Sequence, residues 1–110
     1  MKKYLVLVYG RNFRLPFVER RRTRVKLTGF YTTRCVTASG PVEAEYKAMD
    51  LIRGDSKLNR SVRNSRLNPP VMYAMEIREV ESFAPFKPPG GGYAFFHGRG
   101  AGRPRRSGTS

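Results

Sequence analysis

The 110 residues carry 22 Lys and Arg against 8 Asp and Glu, a formal net charge of +14 at pH 7. Hydrophobic residues make up 39%, with six Tyr and seven Phe, which excludes a wholly unfolded chain, and the length leaves room for one domain. A single cysteine, Cys35, excludes an internal disulfide and fits a reducing, cytoplasmic setting.

The charge is segregated. Residues 11–34 hold eight basic residues and one acid, Glu19, whereas residues 41–55 and 71–81 are each net acidic. Such a distribution makes a directional field that recruits polyanions.

Residues 4–9, Tyr-Leu-Val-Leu-Val-Tyr, are β-branched and aromatic and predict a strand that continues past Gly10 to Pro16. Lys2 and Lys3 precede this run, but six apolar residues are too few for a secretory signal or a membrane span. Residues 16–23, with Arg20-Arg21-Arg22, read as a mobile basic loop closing a hairpin. A second long strand follows over residues 24–38, with Gly29 near Gly10.

Ser39-Gly40-Pro41 signals a helix start, and Gly54 after Arg53 signals its end. Ala44, Ala48, Leu51 and Ile52 form one apolar stripe between them. Residues 55–70 read as an irregular basic loop, with a frayed helical turn as the alternative. A third strand is predicted over residues 71–83, placing Val71, Tyr73, Met75 and Ile77 on one face. Residues 93–96 offer a short fourth strand. Residues 97–110 are Gly, Arg, Ser and Thr-rich and read as a disordered tail.

The expected architecture is a small α+β two-layer sandwich over residues 1–96. Its elements run ββαβ, with an optional fourth strand and one helix on one face of a mainly antiparallel sheet.

Catalysis is poorly supplied. His97, the single histidine, falls in the tail, Cys35 has no histidine near it in sequence, and no Cys, His and carboxylate set has metal-ligand spacing. No enzyme, metal or cofactor is expected. Gly98-Arg-Gly-Ala-Gly102 follows no strong strand and opens no helix, so it is not a dinucleotide loop.

Binding is better supplied. Phosphate-contact candidates are Arg11, Arg14, Arg20, Arg21, Arg22, Arg24, Lys26 and Arg34 on the hairpin, and Arg60, Arg63 and Arg66 in the irregular segment. Arg99, Arg103, Arg105 and Arg106 add a basic tail. Tyr9, Phe13, Phe30 and Tyr31 are stacking candidates, with Tyr9, Arg11 and Phe13 expected on one face by their period of two. Gly102-Arg103-Pro104-Arg105-Arg106 resembles the core of an AT-hook, which would imply insertion into the minor groove of A·T-rich DNA; Ala101 stands where that motif has its first arginine.

The expected function is a small nucleic-acid-binding module, for DNA or RNA, of mostly electrostatic affinity. The alternative is an interaction or regulatory subunit that docks an acidic protein, or a second copy of itself, through an exposed strand edge. Adsorption to anionic membrane surfaces ranks last, since no anchor accompanies the charge.

Overall fold

The computed structural model describes residues 1–97. Two long strands, β1 (Lys2–Glu19) and β2 (Arg22–Ala38), are followed by α1 (Pro41–Arg53) and α2 (Ser56–Ser61). Strands β3 (Val71–Val80) and β4 (Ala94–His97) complete an α+β fold. The four strands form one antiparallel sheet in the order β3-β1-β2-β4. The order of elements thus includes a second helix that the ββαβ expectation lacked. β3 pairs with β1, so β2 and β3 run parallel with β1 between them.

The helix signals act where they stand in the sequence. Gly40 is the N-cap of α1, Pro41 opens its first turn, and its end is capped by Gly54 N donating to Asp50 O and Asp55 N donating to Ile52 O. Ser39 Oγ donates to Glu43 Oε2 at 2.9 Å, and Lys47 pairs with Glu43 at 3.1 Å one turn on. The buried stripe is Ala44, Ala48, Met49 and Ile52, packed on Tyr4, Val6, Val8 and Val36 of the sheet. Met49 fills the place expected of Leu51, which is exposed.

Two bulges decide which side chains share a face. Between Gly10 and Phe13, β1 puts Arg11 and Asn12 opposite Gly29 alone, and Asn12 takes a positive φ of 61°. One extra residue reverses the alternation. Phe13 therefore turns to the helix side with Phe30, while Tyr9 and Arg11 stay on the other. A second shift, where Leu7 pairs Glu76 and Val8 pairs Ala74, leaves Met75 as the extra residue of β3. Met72, Ala74 and Ile77 consequently pack toward the core. Tyr73, opposite Tyr9, lies on the other face, so the expected grouping of Tyr73 with Ile77 does not hold.

Gly10 makes room for this core. A Cβ there would overlap the rings of Phe30 and Phe13, whose centroids lie 4.9 Å apart.

Three further expectations change. The predicted loop at residues 16–23 is strand almost throughout: Glu19 pairs Arg22, and only Arg20 and Arg21 turn the chain. Residues 55–70 are not wholly irregular, because Asp55 accepts from Lys57 N and Leu58 N and starts α2. The segment after α2 is fastened to the bulge of β1. Asn12 Nδ2 donates to Asn68 Oδ1 and Pro69 O, both at 2.9 Å, and Asn64 Nδ2 donates to Asn12 O at 2.6 Å. His97, expected in the tail, closes β4 with its ring edge-on to Phe17 at 4.6 Å.

β3 and β4 lie at opposite edges, so residues 81–93 must cross the sheet. Phe86 sits beside Leu5, Leu7 and Thr33, on the face without helices. The crossing is pinned at β2, where Cys35 N donates to Pro89 O at 2.9 Å and Arg34 bridges Gly90. It therefore covers one half of that face and leaves the half around Tyr9 and Tyr31 open.

Candidate nucleic-acid interface

The distal part of the hairpin is an arm. β3 accompanies β1 only as far as Arg11, and β4 accompanies β2 only over Thr28–Tyr31. Beyond Leu27 toward the tip, β1 and β2 have only each other as named sheet partners. Arg20, Arg21, Arg22 and Arg24 are exposed there. Glu19, the arm's one acid, is ion-paired to Lys26, and that hydrogen bond holds its carboxyl below the usual carboxylate range.

The turn itself is unusual in its residues. Arg20 and Arg21 have φ of 47° and 66°, the positive pair of a type I′ hairpin turn, a geometry that Asn-Gly adopts at little cost. A left-handed backbone costs an ordinary side chain roughly 1 kcal/mol per residue. Hairpin closure alone favours other residues at both positions.

A second basic group sits at the base of the arm. Arg14 lies past the end of β3's pairing; its N donates to Asn64 Oδ1 at 2.8 Å, and Arg63 N donates to Arg14 O at 2.8 Å. Arg63 is thus brought beside β1, and its Nη1 reaches back to Arg60 O at 2.6 Å at the end of α2. Arg14, Arg60, Arg63 and Arg66 are exposed.

Arg34 is a correction. It was expected among the surface phosphate ligands, but it is only 4% exposed, with its guanidinium 5.1 Å from the Tyr93 ring and its Nε without a hydrogen-bond partner. Its place in β2, alternating with Thr32 and Val36, turns it to the helix side. There Tyr93 donates to Asp55 Oδ2 at 2.7 Å. Burial, and then this hydrogen bond, push the Tyr93 phenol up to about 12.

The four stacking candidates divide. Phe13 and Phe30 are buried in the core, at 3% and 0% exposure, and are not available to a ligand. Tyr9 and Tyr31 lie on the open face, stacked with centroids 5.0 Å apart. Phe96 stacks on Tyr31 at 5.5 Å, and Tyr73 meets Tyr9 edge-on at 5.3 Å. The Arg11 guanidinium lies over Tyr9 at 5.6 Å and over Tyr73 at 5.3 Å. Tyr73 and Phe96 escaped sequence reasoning because only the strand register brings them to Tyr9. The one available sign was Gly29, whose missing side chain is the space that the Phe96 ring fills.

Cys35 is buried beneath the crossing segment, and burial pushes its thiol up. The acids of β3 look elsewhere than the arm: Glu76 faces Arg78 at 3.9 Å and Glu79 faces Lys2 at 3.8 Å. Among the described residues, no three His, Cys, Asp or Glu side chains gather as metal ligands, and no helix is long and apolar enough to cross a membrane. Arg99, Arg103, Arg105, Arg106, the AT-hook-like string and the rest of the predicted tail lie outside the described residues. The chain matches no family model, and no curated protein or solved structure shows significant similarity to it.

Proposed function

We propose that the chain is a non-enzymatic nucleic-acid-binding module of the cytoplasm whose basic hairpin arm neutralises phosphates. The observation that carries this reading is the arm tip. Four exposed arginines, Arg20, Arg21, Arg22 and Arg24, cluster where the hairpin has outrun its neighbouring strands. Two of them occupy turn positions that disfavour their side chains. Backbone strain retained at an exposed, highly charged tip is a mark of function more often than of folding. A two-stranded β-ribbon is also narrow enough to follow a nucleic-acid groove. Arg14, Arg60, Arg63 and Arg66 extend the same charge to the arm's base.

Binding to a duplex that engages about four phosphates should show log K falling against log salt with a slope of about −3.6. Replacing Arg20, Arg21 and Arg22 together by alanine should flatten that slope by about 2.7 and weaken binding at low salt. An unchanged slope in the triple variant removes the arm from the interface.

A second reading has one observation in its favour. The arm's strand edges are unpaired with other named strands, and Val18 and Val25 are 76% and 53% exposed beside them. An added strand from an acidic protein or a second copy of the chain would cover both. Salt-insensitive self-association without oligonucleotide binding would favour that alternative.

A further inference from the structure

Tyr73, Tyr9, Tyr31 and Phe96 come from β3, β1, β2 and β4 in their spatial order, so one aromatic cluster spans the whole sheet. At about 4.8 Å between neighbouring strands, the row is roughly 14 Å across. No helix covers it, because both helices and the Phe13–Phe30 core lie on the other face. The crossing segment stops short of it, with Phe86 over Leu5, Leu7 and Thr33. Tyr31 is 39% exposed, and Tyr9, Tyr73 and Phe96 are half-buried.

A water-facing half of a sheet needs no aromatic cluster to stay folded; threonine and lysine serve there as well. The informative observation is a row of four aromatic rings left only partly covered on such a face. Its charge points to the occupant. Arg11 lies over two of the rings and Arg14, by alternation from Phe13, projects from the same face toward the arm. The acid nearest along β3, Glu76, faces Arg78 at the far end of this face.

We infer that this cluster is a stacking platform for unpaired nucleobases, so that the arm holds a single strand in preference to a duplex. The inference rests on the arm binding phosphates, as proposed above. A duplex buries the faces of its bases, whereas a single strand presents them to aromatic rings and guanidinium planes. The width of the row suits two or three bases, with Arg11 and Arg14 on the side where the backbone would run toward Arg20 and Arg21.

The test compares three fluorescently labelled ligands of equal length on the full chain: oligo(dT), an abasic oligodeoxynucleotide and a duplex. Anisotropy titrations are run over a range of salt. The expected result is oligo(dT) binding about tenfold tighter than the abasic strand, the size that one well-stacked base supplies. Tyr31→Ala and Phe96→Ala should each bring that ratio toward one while leaving the salt slope unchanged. Tyr31→Leu, which keeps apolar volume without a ring, should do the same and guards against a variant that fails to fold. The Arg20, Arg21 and Arg22 alanine variant should weaken both single strands and preserve their ratio.

Equal binding of oligo(dT) and the abasic strand, or tighter binding of the duplex, with a normal salt slope would overturn the platform and leave the arm standing. No binding of any of the three at low ionic strength would overturn the arm and the platform together.

Discussion

The Tyr93 hydroxyl donates to Asp55 Oδ2 at 2.7 Å and so ties the entry to β4 to the start of α2. The other carboxylate oxygen of Asp55 caps α2, accepting from Lys57 N at 3.0 Å and Leu58 N at 3.2 Å. The Tyr93 bond, the largest of several hydrogen bonds to Asp55, holds its carboxyl below the usual value, and the Arg34 guanidinium adds to the effect. One short polar bridge therefore joins a buried arginine, an edge strand and the six-residue helix whose Leu58 enters the core.

Tyr93→Phe should cost about 1.5–3 kcal/mol, the usual worth of a hydrogen bond to a charged group. The pH dependence separates this from lost packing. Tyr93 titrates near 12 in the folded chain and near 10 when unfolded, so its contribution is complete below pH 10 and is lost as pH rises from 10 to 12. Asp55, with its folded value lowered, contributes above its ordinary range near 3.8 and loses that contribution as pH falls through its folded value. Denaturation of wild type and Tyr93→Phe at pH 7 and pH 11.5 should show the gap between them narrowing at the higher pH. A gap that stays constant would mean that the hydroxyl contributes through shape alone.

Asn12 occupies the bulge with φ of 61° and only 3% exposure, and its amide donates twice, to Asn68 Oδ1 and Pro69 O. Asn12→Ala loses both bonds and leaves in the left-handed region a residue that tolerates it less well than asparagine, for about 2–3 kcal/mol together. Asn12→Gly loses the bonds but relieves the backbone, so its cost should be about 1 kcal/mol smaller. Chemical denaturation of the two variants gives the order directly. Equal costs would show that the left-handed backbone is not strained at this position.

Much of the frame is legible in the sequence because punctuation coincides with structure. Gly40-Pro41 and Gly54 bound α1, and the β-branched runs of β1, β2 and β3 leave little choice of element. Face assignments fare worse, since each depends on parity and one bulge reverses it. Tyr9 and Phe13 share a face in an unbroken strand; the extra residue at Asn12 sends Phe13 into the core. Phe30 and Tyr31, both stacking candidates, fall on opposite faces, because neighbours in a strand point apart. Tyr73 and Phe96 reach Tyr9 and Tyr31 only through tertiary register. The hairpin end was hidden for a different reason: Arg20-Arg21 carries no turn residue, so its chemistry argued for a longer loop than the backbone makes.

Gly10 and Gly29 are neighbours across the β1–β2 pair but open to opposite faces, and alanine at each should report the difference. At Gly10 an added Cβ overlaps the ring of Phe30, which is fully buried, and approaches Phe13 to 2.9 Å. Neither ring has room to retreat, so Gly10→Ala should cost about 2–3 kcal/mol. At Gly29 the Cβ overlaps Phe96, which is half-buried on the open face and free to swing outward. Gly29→Ala should cost less than about 1 kcal/mol. Thermal melts of the two variants test the contrast, and comparable losses would mean that Phe96 is held as firmly as the core.

The arm tip makes a prediction in which stability and binding move in opposite directions. Arg20 and Arg21 both sit at positive φ, where Asn-Gly is at ease and arginine is not. The double variant Arg20→Asn, Arg21→Gly keeps the two-residue turn and the pairing of Glu19 with Arg22. Relief of two left-handed arginines should stabilise the chain by about 1–2 kcal/mol, which for a chain of this size raises Tm by roughly 5–10 °C. The same change removes two charges from the tip and should flatten the salt dependence on a duplex by about 1.8. A chain selected for folding alone would have taken the better turn. If the double variant is stabilised and binds oligonucleotides as tightly as wild type at every salt concentration, the arginines at the turn have no part in binding.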